Sequence, residues 1–263
     1  MPVEGSTSVP TVSVIVITKN EERNIRDCLM TVRWADEIVV VDAGSTDRTV
    51  EAAREFTSKI FVRPWDGYGA AKNFALSQCV SEWVLWLDAD ERVTDGLQKE
   101  IRQALASVPA EVAGFSVPRL AMFLGRWIRH CGWYPGRVIR LFRKPGARFS
   151  EERVHERLYL EGQVELLHSD LLHYTDPDLT HYYEKYNRYT SLAAEELAER
   201  GVRFRILSLI VRPWWVFVRM YFLRLGFLDG IAGLILCKAS AAYVFTKYAK
   251  LWERQMSRKE VGP

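Results

Sequence analysis

Apolar runs alternate with stretches of helical period along the first 107 residues. Residues 12–18, VSVIVIT, form an unbroken β-branched run that predicts a buried strand. In the KNEERNIRDCLMTV that follows, Ile25, Leu29 and Val32 fall at helical spacing, with Asn20 as the N-cap. EIVVVD and its Gly-Ser-Thr turn repeat the arrangement, with a helix opening near Thr46 or Asp47. SKIFVRPW with GYGAAKNFALSQC, and EWVLWLDA with TDGLQKEIRQALASV, supply a third and a fourth unit. Fully apolar strands alternating with helices imply a parallel sheet covered on both faces. Residues 12–107 therefore read as a doubly wound α/β layer. Ligands of such sheets bind beyond the carboxyl ends of the strands, where Asp42, Asp88 and Asp90 fall.

After Pro109 the alternation stops. AGFSVPRLAMF, RVIRLFRK and QVELLHSDLLHY read as strands that extend the sheet and build the other wall of the cleft, and residues 178–200 read as a helix with an acidic start. From residue 201 the chain is greasy but interrupted, and no window of 18 residues lacks a charge, which argues against a spanning helix. Arg205, Arg212 and Arg219 are seven apart and form a basic stripe if one helix carries them. Pro213 is better placed to open a new helix than to sit inside one. Trp214, Trp215, Phe217, Tyr221 and Phe222 flank the arginines, as in helices lying in a membrane interface. Packing against the α/β body or a second subunit would use the same amphipathic pattern.

Composition narrows the classes. The 263 residues are 48% apolar and 26% charged, ordinary for a folded protein, and the net charge of +3 is too small to suggest nucleic acid. Basic residues far outnumber acidic ones from Arg200 onward, while the front carries an acidic excess, so the tail is the part suited to an anionic surface. Cys28, Cys79, Cys131 and Cys237 form no C-x-x-C pair and read as free thiols of a reducing compartment. The first ten residues lack a secretory pattern, and a cytoplasmic location is expected.

Residues 84–93, VLWLDADERV, run from a buried strand into Asp88, Asp90 and Glu91. Like charges this close repel unless a cation or a row of donors balances them. A hard divalent ion, Mg²⁺ or Mn²⁺, held by one or two carboxylates and substrate phosphates, would supply that balance. Solvent-facing acids at a strand end are the plain alternative; convergence with Asp42 on one rim favours the ion.

VSVIVITKNE, VVVDAGSTDRT, GYGAAKNFAL and VLWLDADE, in that order over about 80 positions, resemble the family 2 glycosyltransferases of GT-A fold. No G-x-G-x-x-G follows the first strand, so the dinucleotide fingerprint is absent. The resemblance implies a GT-A α/β fold with a C-terminal amphipathic helical extension, divided into an arm (1–11), a catalytic domain (12–200, with a nucleotide-sugar half 12–107 and an acceptor half 108–200) and a membrane-interface extension (201–263). It places Thr18 and Glu21 in the nucleoside pocket, Asp42 on the base or ribose, Asp88 toward the ribose and metal, and Asp90 on the metal. Lys72 matches a basic position near the diphosphate, the alternative being a solvated helix-surface lysine, and Asp47 caps the next helix. Glu91 either backs up the metal or pairs with Arg92.

In EERVHERL the VHE triplet resembles that of a bacterial subset, implying Glu156 as the base that takes the acceptor proton and His155 as a metal ligand. Many other members carry Glu-Asp there. Arg137, Arg140 and Arg143 are three apart, so on a strand they cannot all face one phosphate or acceptor. His130, His168, His173 and His181 have no ligand spacing and read as structural. Over the whole chain the resemblance is to bacterial lipopolysaccharide inner-core β-1,4-glucosyltransferases, which implies a UDP-sugar donor and a lipid-anchored saccharide acceptor at the cytoplasmic face. A polyprenyl-phosphate glycosyltransferase and a non-catalytic nucleotide-sugar-binding scaffold are the competing readings.

Overall fold

The computed structural model describes residues 10–150, 157–176 and 178–260. In chain order the elements are β1 (Val12–Thr18), α1 (Ile25–Met30), β2 (Glu37–Asp42), α2 (Thr49–Ala53), β3 (Ile60–Val62), α3 (Tyr68–Gln78), β4 (Trp83–Asp88), β5 (Glu91–Val93) and α4 (Asp95–Ala106). There follow β6 (Val112–Val117), β7 (Arg119–Phe123), β8 (Arg126–Ile128), β9 (Val138–Arg143), β10 (Arg148–Phe149), β11 (Leu158–Tyr159), β12 (Gln163–Leu166) and β13 (Leu171–Asp176). Three helices close the chain: α5 (Leu179–Glu199), α6 (Ile206–Val218) and α7 (Gly230–Glu260). Two compact units result, Met1–Arg119 with Arg137–His173, and Leu120–Gly136 with Tyr174–Pro263.

The first unit is built on a seven-stranded sheet in the order β12-β6-β9-β4-β1-β2-β3. β1, β2, β3 and β4 are mutually parallel, and β9 runs antiparallel to both β4 and β6. Alternation along β1 sorts its side chains between two cores. Val12, Val14 and Val16 pack with Ile25, Cys28 and Leu29 of α1 and with Leu97, Ile101 and Leu105 of α4. Ile15 packs on the opposite face with Val39 and Val41 of β2 and Ala71, Ala75 and Leu76 of α3. Both faces are thus covered, which is why these strands carry no polar alternation.

Two helix starts differ from expectation. Asn20 does not cap α1; it sits at φ 55°, and its Oδ1 accepts from Thr46 N at 2.9 Å, tying the loop after β1 to the loop after β2. The first helical turn is displaced to Asn24–Ile25, and α2 opens at Thr49, with Asp47 Oδ1 accepting from Thr49 N at 3.0 Å. Asn20 is spent on joining the two loops, while Asp47 also reaches across through Oδ2, which accepts from Glu22 N at 3.2 Å.

In the second unit β7 and β8 form a hairpin whose turn residues Leu124 and Gly125 both have positive φ. α7 packs along α5 and α6, with Ala194, Tyr248 and Leu251 at one seam and Met220, Leu236 and Cys237 at another. Pro213 lies inside α6 rather than opening a helix. The interior proline weakens the helix by about 3 kcal/mol, and packing on α7 carries α6 through it. A π turn, Arg219–Leu223, and a 3-10 turn, Gly226–Asp229, link α6 to α7.

Candidate active site

Parallel pairing sets the rim. Thr18 lies opposite Asp42 and Ile17 opposite Asp88, so the carboxyl ends of β1, β2 and β4 finish in line. Asp42 is buried; its Oδ1 accepts from Gly44 N (3.0 Å) and Ser45 N (2.8 Å), and its Oδ2 from the Ser45 hydroxyl (2.5 Å). Gly44 at φ 79° lets the turn fold back onto the carboxylate. Thr18 is also buried, and its hydroxyl has no hydrogen-bond partner among the described residues. Such a group calls for a partner that the described residues do not supply. Beside Asp42 a narrow cleft is walled by Ile17, Val41, Arg63, Trp65, Asp66 and Ala71. Glu21 accepts from Asn24 Nδ2 at 2.8 Å, and its own backbone N–H donates to Thr49 Oγ1 at 2.7 Å.

Beyond β4 the acids separate into two environments. Asp88 is 42% exposed at the side chain and accepts from Arg140 Nη2 at 2.6 Å. Glu91 is fully buried; it accepts from the same Nη2 at 2.7 Å and from Asp88 N at 3.1 Å, with Arg119 Nη1 at 3.6 Å. Burial pushes the Glu91 carboxyl up, against the pull of Arg140. Burial alone would lower Arg140, but Asp88 and Glu91 outweigh it and hold the guanidinium charged. Asp90 meets His173 Nε2 at 3.3 Å from its Oδ2. β13 brings that imidazole in, because it pairs antiparallel with β5 and sets His173 opposite Glu91.

Lys72 is 2% exposed, not a solvated helix-surface lysine. Its ammonium lies 3.6 Å from the Trp86 ring centroid, with Tyr68 and Phe149 rings at 5.6 and 5.4 Å. Arg140 approaches the same Trp86 ring at 3.9 Å. The next residue of α3, Asn73, exchanges hydrogen bonds with the backbone of Phe149 at 2.8 and 2.9 Å. Ser150 N donates to Arg157 O at 2.9 Å, so the chain closes on itself on either side of residues 151–156. His155 and Glu156, the expected ligand and base, lie outside the described residues.

The sequence model described as Glycosyl transferase family 2 matches residues 13–162. The chain belongs to that family. It is a glycosyltransferase of GT-A fold. The lipopolysaccharide core biosynthesis glycosyltransferase LpsC of Rhizobium meliloti (strain 1021) is 32% identical over 249 residues, 92% of this chain and 92% of that protein. An uncharacterized glycosyltransferase of Rickettsia typhi is 32% identical over 261 residues, 95% of this chain and 89% of that one. Among solved structures, the mannosyltransferase PcManGT of Pyrobaculum calidifontis, in complex with GDP-Man and Mn²⁺, superposes with a TM-score of 0.53 at 16% identity, covering 94% of this chain and 88% of that one.

In this glycosyltransferase one open alternative for a charged side chain falls away, and the spaced arginines divide between faces as expected. Glu91 does not pair with Arg92, whose guanidinium donates to the carbonyls of Ala89 and Glu91 and stands 3.7 Å from Asp27. Of the three spaced arginines only Arg140 reaches the acidic rim. Arg137 donates to the carbonyls of Ser116 and Leu167, and Arg143 to that of Val112. His173 faces Asp90, a neighbour that only the pairing of β13 with β5, invisible to local spacing, brings to it. His130 and His181 do make structural pairs, with Asp229 at 2.9 Å and Asp176 at 3.4 Å.

Proposed function

We propose that the enzyme transfers a hexose, glucose first among them, from a UDP-sugar to a hydroxyl of a lipid-linked saccharide such as the lipopolysaccharide inner core, inverting the anomeric centre. One observation carries this reading: Thr18, Asp42 and Asp88 end neighbouring strands in register, with Asp90 and His173 paired beside them. Thr18 with its orphaned hydroxyl, Asp42 and Glu21 would face the nucleoside, as the family resemblance implies. LpsC, named for lipopolysaccharide core biosynthesis, supports the acceptor class.

The residues present fit a divalent ion. Asp90 and His173 offer an oxygen and a nitrogen 3.3 Å apart, and Asp88 presents a half-exposed carboxylate. Among the described residues no three such side chains converge, so Mg²⁺ or Mn²⁺ would need substrate phosphates to complete its ligands. His155 would be a further ligand. The ion, when bound, supplies charge stabilisation for the departing nucleoside diphosphate. PcManGT, a likeness in fold, was solved with Mn²⁺ and a nucleotide sugar.

This chain's own groups do the rest. Asp88 and Asp42 orient the nucleoside end. Lys72, confined by three aromatic rings, contributes a fixed positive charge behind Trp86 toward the diphosphate. Glu156 takes the proton from the acceptor hydroxyl as the oxygen attacks. The part from residue 201 onward places the enzyme on the inner face of the cell membrane. Its support is the uncovered apolar surface: Leu207, Ile210 and Trp214 are each 64% exposed on α6, and Ile231 is 77% exposed at the start of α7. Ile206–Leu223 and Gly226–Ser257 are long and apolar enough to cross a membrane. Their arginines and lysines suit a peripheral seat on anionic lipid instead. A panel of radiolabelled UDP-sugars offered with a bacterial membrane extract tests the reading; no incorporation from any UDP-sugar would refute it.

A further inference from the structure

Glu91 is an odd residue to bury. Its carboxylate is fully enclosed between β4 and β9, where a well-packed apolar side chain would serve stability as well or better. Its contacts explain the choice. One oxygen accepts from the backbone N–H of Asp88 at 3.1 Å, and the other accepts from Arg140 Nη2 at 2.7 Å. The same Nη2 reaches the Asp88 carboxylate at 2.6 Å. The three residues therefore close a ring that runs from the Asp88 main chain through Glu91 and Arg140 back to the Asp88 side chain. Two of its members are buried and one, Asp88, is 42% exposed. The exposed carboxylate takes its direction from the two that water does not reach.

We propose that Glu91 is a positioning residue: acting through Arg140 and the Asp88 N–H, it grips Asp88 at both ends and aims its free carboxylate oxygen at the nucleotide sugar. This rests on the reading that Asp88 faces the donor. Arg140 is the shared donor of the grip rather than a clamp on substrate phosphate. Its guanidinium lies 3.9 Å from the Trp86 ring centroid, which fixes its plane. Glu91 touches no substrate in this arrangement. Its effect must pass through Asp88, and that dependence is measurable.

The test is a double-mutant cycle on the full chain, read as UDP affinity by titration calorimetry in Mn²⁺ and as the donor KM and kcat. Glu91→Gln keeps an oxygen for the Asp88 N–H but loses the charge that anchors Arg140. It should weaken UDP binding and raise the donor KM by about tenfold, with a smaller change in kcat. In an Asp88→Asn background the same substitution should do nothing further. Thermal unfolding checks that each variant is folded; should Glu91→Gln fail to fold, Arg140→Lys, whose shorter side chain keeps the charge but draws the shared donor nitrogen back from both carboxylates, reads the same cycle. Losses that multiply across the two sites overturn the proposal, because Glu91 then acts independently of Asp88. So does an unchanged UDP affinity in Glu91→Gln when Asp88→Asn is weakened. An Asp88→Asn variant that binds UDP like the parent overturns the placement of Asp88 at the donor, a separate failure.

Discussion

Replacing Leu207, Ile210 and Trp214 together with alanine strips the outward face of α6 without touching a core. Each side chain is 64% exposed. Full burial of a large apolar side chain contributes roughly 1.5–3 kcal/mol, so roughly two thirds of each, about 1–2 kcal/mol, is available to lipid. Three such losses come to about 3–6 kcal/mol. A helix lying at headgroup depth immerses only part of that area, which leaves about 2–3 kcal/mol, or on the order of a 30- to 150-fold weaker partition. Cosedimentation with vesicles containing anionic phospholipid measures it directly. Because the three side chains lie outside the buried seams, thermal stability should hardly move, within about 0.5 kcal/mol per site. A variant that partitions like the parent would refute the membrane assignment, and one that instead loses its cooperative unfolding would show that the face packs on protein.

Two further outcomes test the fold. A Cβ on Gly233 would stand 2.2 Å from the carbonyl oxygen of Gly226, so Gly233→Ala should destabilise the second unit by several kcal/mol, on the order of the larger single-site effects, or leave it insoluble; circular dichroism melting decides. Glu100 accepts from the backbone N–H groups of His168 and Ser169, both at 2.7 Å. Burial raises its carboxyl, but those donors prevail and hold it below the ordinary glutamate value of 4.5. Its stabilisation is therefore present above pH 4.5 and lost as pH falls through the depressed folded value. Glu100→Gln should flatten the acid limb of a urea-stability profile, and an unchanged limb would contradict the assignment.

The parallel half of the molecule was legible because burial on both faces writes itself as unbroken apolar runs. VSVIVIT, EIVVVD and WVLWLD could hardly be anything else. The acids at their ends followed from topology alone. Helix starts were less legible, since Asn20 carries cap chemistry but serves the crossing of two loops, and Asp47 serves both that crossing and the start of α2. Arg140 and His173 could not be singled out, because each reaches the acids through an antiparallel strand whose register no local pattern encodes. For Glu91 the local sequence offers only a metal or its neighbour Arg92, and the structure gives it to Arg140, 49 residues away. Pro213 misled for a different reason: helix propensity is local, and the packing of α6 on α7 overrode it.

The proposed transfer requires a divalent ion that Asp90 and His173 would share with a sugar nucleotide. The most direct measurement is transfer of radiolabelled glucose from UDP-glucose into membrane acceptor, before and after chelation with EDTA and after Mn²⁺ is restored. Chelation should reduce incorporation by about 100-fold or more, in line with the several kcal/mol such an ion contributes, and added Mn²⁺ should recover it. Incorporation that continues undiminished in EDTA would contradict the account.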